Sequence, residues 1–175
     1  MPLSKIDSDS LNSGAVTSTA LASGVPTRAQ MPVGSVLQVV SATNNTLNTT
    51  SNTAWTATSL SLSITPTSST SKILLLSTAT VGMGTANVAN FAFGKNGTIL
   101  NAGGTNWGAS FLITGSNGNS YGYPWSENWL DSPATTSATT YAVYFRVDSG
   151  GPAAFNGRGN GNAGAATLIA MEIAA

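Results

Sequence analysis

Apolar and polar residues alternate in short stretches from Val33 onward, and the period of that alternation is two. Leu60, Leu62 and Ile64 face one way, with Ser61 and Ser63 facing the other, as in a half-buried strand. Tyr141, Val143, Phe145 and Val147 make a second such face, opposite Tyr144 and Arg146. Val36 to Val40 opens the patterned region behind Pro32, and Thr167 to Ile173 closes it two residues before the end of the chain. Lys72 to Val81 begins as an unbroken apolar run, which suits a central strand covered on both faces. Pattern alone leaves a short buried helix open, but Thr78, Thr80 and Val81 are β-branched and Gly82 and Gly84 follow, so the strand is preferred. Val88 to Phe93 and Thr98 to Leu100 flank Asn96-Gly97, the pair favoured in a two-residue type I′ turn because both positions need positive φ. Ala109 to Ile113 adds a further short strand.

About eight strands broken by Gly, Ser, Asn and Thr, with no convincing amphipathic helix, predict an all-β chain: a two-sheet, jelly-roll-like β-sandwich over residues 34–175. An open or trimer-shared sheet is the alternative. If the first and last strands lie side by side, the apolar run ending at Ile173 is accounted for.

Residues 1–33 read differently. Aromatics are absent, and apolar side chains recur at Ile6, Leu11, Val16 and Leu21, a spacing of five that fits neither helix nor single-faced strand. Leu11-Asn12-Ser13-Gly14 and Leu21-Ala22-Ser23-Gly24 echo one another ten residues apart. A segment that repeats without being able to build a core is expected to be an extended arm burying single apolar residues against other chains. Fully extended it reaches at most roughly 110 Å.

Composition narrows the function classes. The chain has no histidine, no cysteine, and six basic residues balanced by six acidic ones. General acid–base chemistry, thiol chemistry and metal binding therefore have few groups to draw on, and no cofactor is expected. A chain without a basic field has little to hold a phosphate backbone or an anionic membrane. No stretch approaches the ~20 apolar residues of a bilayer span, so a soluble cytoplasmic product is expected. Net charge near zero favours association, and a homo-oligomer is anticipated.

Several stretches resemble the small fibre, knob and decoration proteins of tailed bacteriophages, particularly those infecting cyanobacteria. They are the lead from Leu3 to Val16, the opening from Gly34 to Val40, Ser71 to Leu76, Leu130 to Tyr141, and Leu168 to Ile173. The resemblance implies a homotrimeric virion protein, with Leu3, Ile6, Leu11, Val16 and Leu21 fixing the arm to other virion proteins and the sandwich facing outward. A host-attaching fibre knob is the leading expectation. A capsid-decoration protein without a receptor and a free-standing lectin-like module are the alternatives.

The strongest binding candidates are Trp107, Tyr121, Tyr123, Trp125 and Trp129, in or beside a Gly/Ser/Asn-rich stretch from Thr114 to Asn128 that reads as a loop. Aromatic faces beside amides and hydroxyls suit the C–H faces and hydroxyls of host-surface polysaccharide, although trimer packing would use the same rings. Glu127 and Asp131 invite a glycosidase reading, but no cationic cluster surrounds them and a non-enzyme is expected. Gly157 to Gly161 matches no phosphate-loop pattern and reads as a hairpin connection. Asn44, Asn48 and Asn96 head glycosylation-type triplets of the kind an Asn- and Thr-rich chain contains by chance. Asp7 and Asp9 fall short of a calcium ligand set. Arg146 and Arg158 are candidates to pair with Asp131 or Asp148 between subunits.

Overall fold

The computed structural model describes residues 31–83, 88–100, 102–103, 107–108, 121–148, 151–157 and 163–175. The strand predicted at Ala109 to Ile113 and all of the arm before Met31 lie outside these residues.

Twelve strands form among them. In chain order they are β1 (Val36–Asn44), β2 (Asn48–Thr50), β3 (Thr56–Ile64), β4 (Lys72–Met83), β5 (Ala89–Lys95), β6 (Thr98–Ile99), β7 (Ala102–Gly103), β8 (Trp107–Gly108), β9 (Tyr121–Asp131), β10 (Thr139–Val147), β11 (Ala153–Phe155) and β12 (Ala166–Ile173). One sheet runs β1-β12-β4-β9, with β11 and β2 continuing β12 and β1 end to end along the second half of β4. The other runs β3-β10-β5-β6, and β7 pairs only with β8. The chain changes sheet at nearly every long connection: β1 in the first, β3 in the second, then β4, β5, β9, β10 and β12 in turn. This is the jelly-roll arrangement, and every pairing in it is antiparallel.

Alternation decides what each strand buries. Leu60, Leu62 and Ile64 of β3 and Tyr141, Val143, Phe145 and Val147 of β10 point inward, meeting Ile73, Leu75 and Val81 of β4 and Leu168 of β12. Phe91 lies at the centre of an aromatic cluster, 5.6 Å from Trp125, 6.3 Å from Phe145 and 6.2 Å from Phe155. The predicted turn forms as expected, with Asn96 at φ 48° and Gly97 at φ 88°. Gly94, just before it, faces the ring of Tyr144 so closely that a Cβ there would collide with it.

The first and last strands pair along their length, from Val36–Ile173 to Asn44–Ala166. Beyond Val36 the amide of Gly34 donates to the carbonyl of Ala174 at 2.8 Å, so the chain enters the sandwich beside its own end. One expectation fails in part. β4 is central, but only its inward face is fully buried; Leu74 and Leu76 on the other face are half-buried. A parallel-sheet-like apolar run here belongs to an antiparallel strand that lacks a second layer among the described residues.

Candidate functional site

Of the stretch read as a loop, residues 114–120 lie outside the described residues, and from Tyr121 onward it is strand. Tyr121 to Asp131 form β9, the edge of its sheet, paired with β4 from Met83–Tyr121 to Ile73–Asp131. The edge position tolerates Pro124, which has no amide to give to a neighbour. Period two puts Tyr123, Trp125, Glu127, Trp129 and Asp131 on the side facing the other sheet.

The five aromatic candidates are therefore not one surface. Trp125 is 2% exposed and belongs to the core, tilted against Phe91 and edge-on to Phe155 at 5.8 Å. It has no face to offer a ligand and is removed from the candidate set. Tyr123 and Trp129, at 37% and 36% exposure, retain accessible ring surface. They lie six positions apart, roughly 20 Å along a strand, too far to form one joint surface. Trp107 in β8 and Tyr121 at the start of β9 have their side chains outside the described residues.

Five of the described charged groups, Lys95, Asp131, Arg146, Asp148 and Glu172, are engaged in holding the fold. Asp131 accepts both from Lys95 Nζ, at 3.1 and 3.0 Å to its two oxygens, and from the Tyr141 hydroxyl at 2.7 Å. This ties β9 to β5 and β10 across the sandwich. Burial, with the hydrogen bond to Asp131 and that carboxylate's charge, pushes the Tyr141 phenol well above its ordinary value. Glu127 and Asp131 are four positions apart, a backbone offset of roughly 14 Å along the strand, whereas the paired carboxyls of glycosidases stand ~5–9.5 Å apart. That spacing, and the engagement of both Asp131 oxygens, argue against paired-carboxylate hydrolysis.

Arg146 is not on an exposed face. It is 9% exposed, lies 5.8 Å from the ring centre of Trp55, and donates to Asp148 Oδ1 of its own chain at 2.6 Å. The same oxygen accepts from Asn90 at 3.0 Å. Arg146, expected to pair between subunits, pairs within its own chain with Asp148, and the Trp55 ring lies beside its guanidinium. Arg158 lies outside the described residues.

Sequence reasoning missed the most completely buried acid. Glu172 is 0% exposed, on the inner side of β12. Its Oε1 accepts the amide and hydroxyl of Thr67, both at 2.7 Å, and its Oε2 accepts Gln38 Nε2 at 2.6 Å. Burial pushes this carboxyl up, but the donors of Thr67 and Gln38 outweigh it and hold it below its ordinary value. The connection between β3 and β4 is pinned through it to β1 and β12. The only signal was an acid at an inward position of an alternating strand.

Asn156, also fully buried, adopts φ 64° and donates to the carbonyls of Asn44 at 2.6 Å and Thr46 at 3.3 Å. It marks the break between β11 and β12, where Gly157 pairs with Ala163. The hairpin connection expected over Gly157 to Gly161 lies, beyond Gly157, outside the described residues. Beside the bridge is an open cleft of about 960 Å³ lined by Thr78, Thr80, Pro124, Ser126, Gly157 and Gly164. Asn44 and Asn48 are engaged with Ser59, and Asn96 Oδ1 accepts the amide of Thr140. No cluster of three or more potential metal ligands occurs among the described residues. No helix there is long and apolar enough to cross a membrane.

Neither a scan against protein-family models nor a search of curated proteins returns a match.

Proposed function

We propose that the chain is a non-enzymatic structural protein of a bacteriophage particle. In this reading it is a homotrimeric knob whose residues 1–33 anchor it to other virion proteins, while the β-sandwich faces host-surface polysaccharide. The observation that carries the reading is where the ionisable groups go. Lys95, Asp131, Arg146, Asp148 and Glu172 are all engaged in bonds that hold strands and connections together. Five of the seven described charged residues are thus committed to the scaffold, which suits a structural module better than one built for acid–base chemistry. The resemblance of its arm and sandwich stretches to phage appendage proteins supplies the setting.

Tyr123 and Trp129 are the residues assigned to polysaccharide, being the aromatics of β9 with accessible ring surface. Gold-labelled antibody on virions tests the setting. Label at the tail is the expected result, label on the head would favour decoration, and unlabelled particles would overturn the reading. Free protein should block adsorption to host cells, and Trp129→Ala should block less well while remaining folded by circular dichroism.

A further inference from the structure

The outer face of the β1-β12-β4-β9 sheet is a graded surface, and register places its residues in rows across all four strands. Leu130 lies opposite Leu74, Leu74 opposite Met171, and Met171 opposite Val39. On one side of this aliphatic row, Lys72, Ile173 and Val36 form a second row. On the other side Asn128, Leu76, Ile169 and Ser41 mix apolar with polar. A fourth row, Ser126, Thr78, Thr167 and Thr43, is wholly hydroxyl. Val36, Val39 and Leu130 are 50%, 55% and 51% exposed, and Met31 and Val33, also exposed, precede the β1 end of the face.

Four strands at ~4.8 Å and four rows at ~6.8 Å give a face of roughly 500 Å² in plan, before side-chain relief is added. Its apolar part, the aliphatic row with Val36, Ile173, Leu76 and Ile169 beside it, covers about half of that plan, and the whole face is about two-thirds of the ~800 Å² that each partner contributes to a standard interface. An apolar centre bordered by hydroxyls is also the anatomy of protein interfaces. Lys72 is the sole charged side chain in the four rows. A highly charged macromolecule finds only Lys72 to pair with here, whereas an otherwise uncharged aliphatic face with a hydroxyl border complements another of its kind.

We infer that copies of this chain associate through the outer face of the β1-β12-β4-β9 sheet, with the Leu74–Met171–Val39 row at the centre of the contact. The inference gives a surface to the self-assembly in the proposed function and rests on that part of it alone. It also accounts for the unbroken apolar run of β4, since the second cover of Leu74 and Leu76 comes from a neighbouring copy.

Sedimentation velocity of the full chain, with no virus particle present, tests it. The parent is expected to run as a dimer or trimer at micromolar concentration. Met171→Lys and Val39→Glu, both on the outer face, are each expected to weaken association at least 100-fold while circular dichroism and the urea midpoint of the dissociated chain remain those of a folded sandwich. A monomeric parent at tens of micromolar would overturn the inference, and protection of its face from a hydrophobic dye would assign the surface to the chain's own first 30 residues. Oligomers persisting in both folded variants would also overturn it, by placing the contact elsewhere. Either failure leaves the virion reading to be decided by particle labelling.

Discussion

Replacing Glu172 with Gln keeps the size of a fully buried side chain and removes its charge, which isolates what the carboxylate contributes. In the parent, three donors converge on it: the Thr67 amide and hydroxyl at Oε1 and Gln38 Nε2 at Oε2. Glutamine preserves an acceptor for Thr67 but sets an NH₂ against the Gln38 amide nitrogen. If Gln38 turns over to offer its carbonyl, it loses its bond to Thr65 O, now 2.7 Å. One charge-assisted bond, worth ~1.5–3 kcal/mol, is therefore lost, and two more fall to neutral strength at ~0.5–1.5 kcal/mol each. Against this, the neutral amide is cheaper to bury than a carboxylate. The net expectation is a destabilisation of about 2–3 kcal/mol at pH 7, a large share of the ~5–15 kcal/mol that holds a domain folded. Urea unfolding at matched protein concentration reads it directly. The sign of the pH dependence follows from the lowered folded value. The carboxylate's contribution is complete above the ordinary value of 4.5 and is lost as pH falls through the lower folded value. Other carboxyls titrate in both proteins and cancel in the difference, so the gap between parent and variant should narrow on acidification. A variant within 0.5 kcal/mol of the parent at pH 7, or a gap unchanged at ~pH 3, would refute the role given to this charge.

Two further changes probe the core. Trp125→Ala should cost ~3–5 kcal/mol because the indole packs among Phe91 and Phe155, whereas Trp129→Ala, half-exposed, should cost about 1 kcal/mol or less; paired urea curves compare them. Tyr141→Phe removes the bond to Asp131 and should cost ~1–2 kcal/mol. Because the phenol's folded value is raised, its contribution is present below its ordinary value of 10.0 and lost above it. Ultraviolet titration of the parent should thus find Tyr141 ionising only with unfolding, and an early, reversible phase accounting for every tyrosine would contradict this.

Much of the sandwich is legible in the sequence because alternation and turn chemistry are local. The β3 face, the β10 face and the Asn96-Gly97 turn are each set by residues within a few positions of one another. β9 was hidden because Gly122, Pro124, Ser126 and Asn128, its outward positions, are turn-type residues. Tyr123, Trp125 and Trp129 nonetheless share one parity, and that was the available sign of a strand. Parity also placed Arg146 on the face opposite Val143 correctly. It could not tell that Trp55, ninety-one residues earlier, lies beside the Arg146 guanidinium. The partners of Glu172 were beyond reach for the same reason: Thr67 and Gln38 are 105 and 134 residues away, and only the closed sandwich makes them neighbours.

The break shared by β1/β2 and β11/β12 is a place where the sheet can take up added chain. Pairing on either side of it is fixed by β4, while Asn156 and the Gly157–Ala163 bridge seal the opening between. Chain added or exchanged inside that bridge shifts no strand, and each doubling of its length costs only ~0.6 kcal/mol in closure entropy. The two residues that close the bridge, Gly157 and Ala163, also line the Thr78–Ser126 cleft, so a change there is felt at the cleft while the strands beneath keep their register.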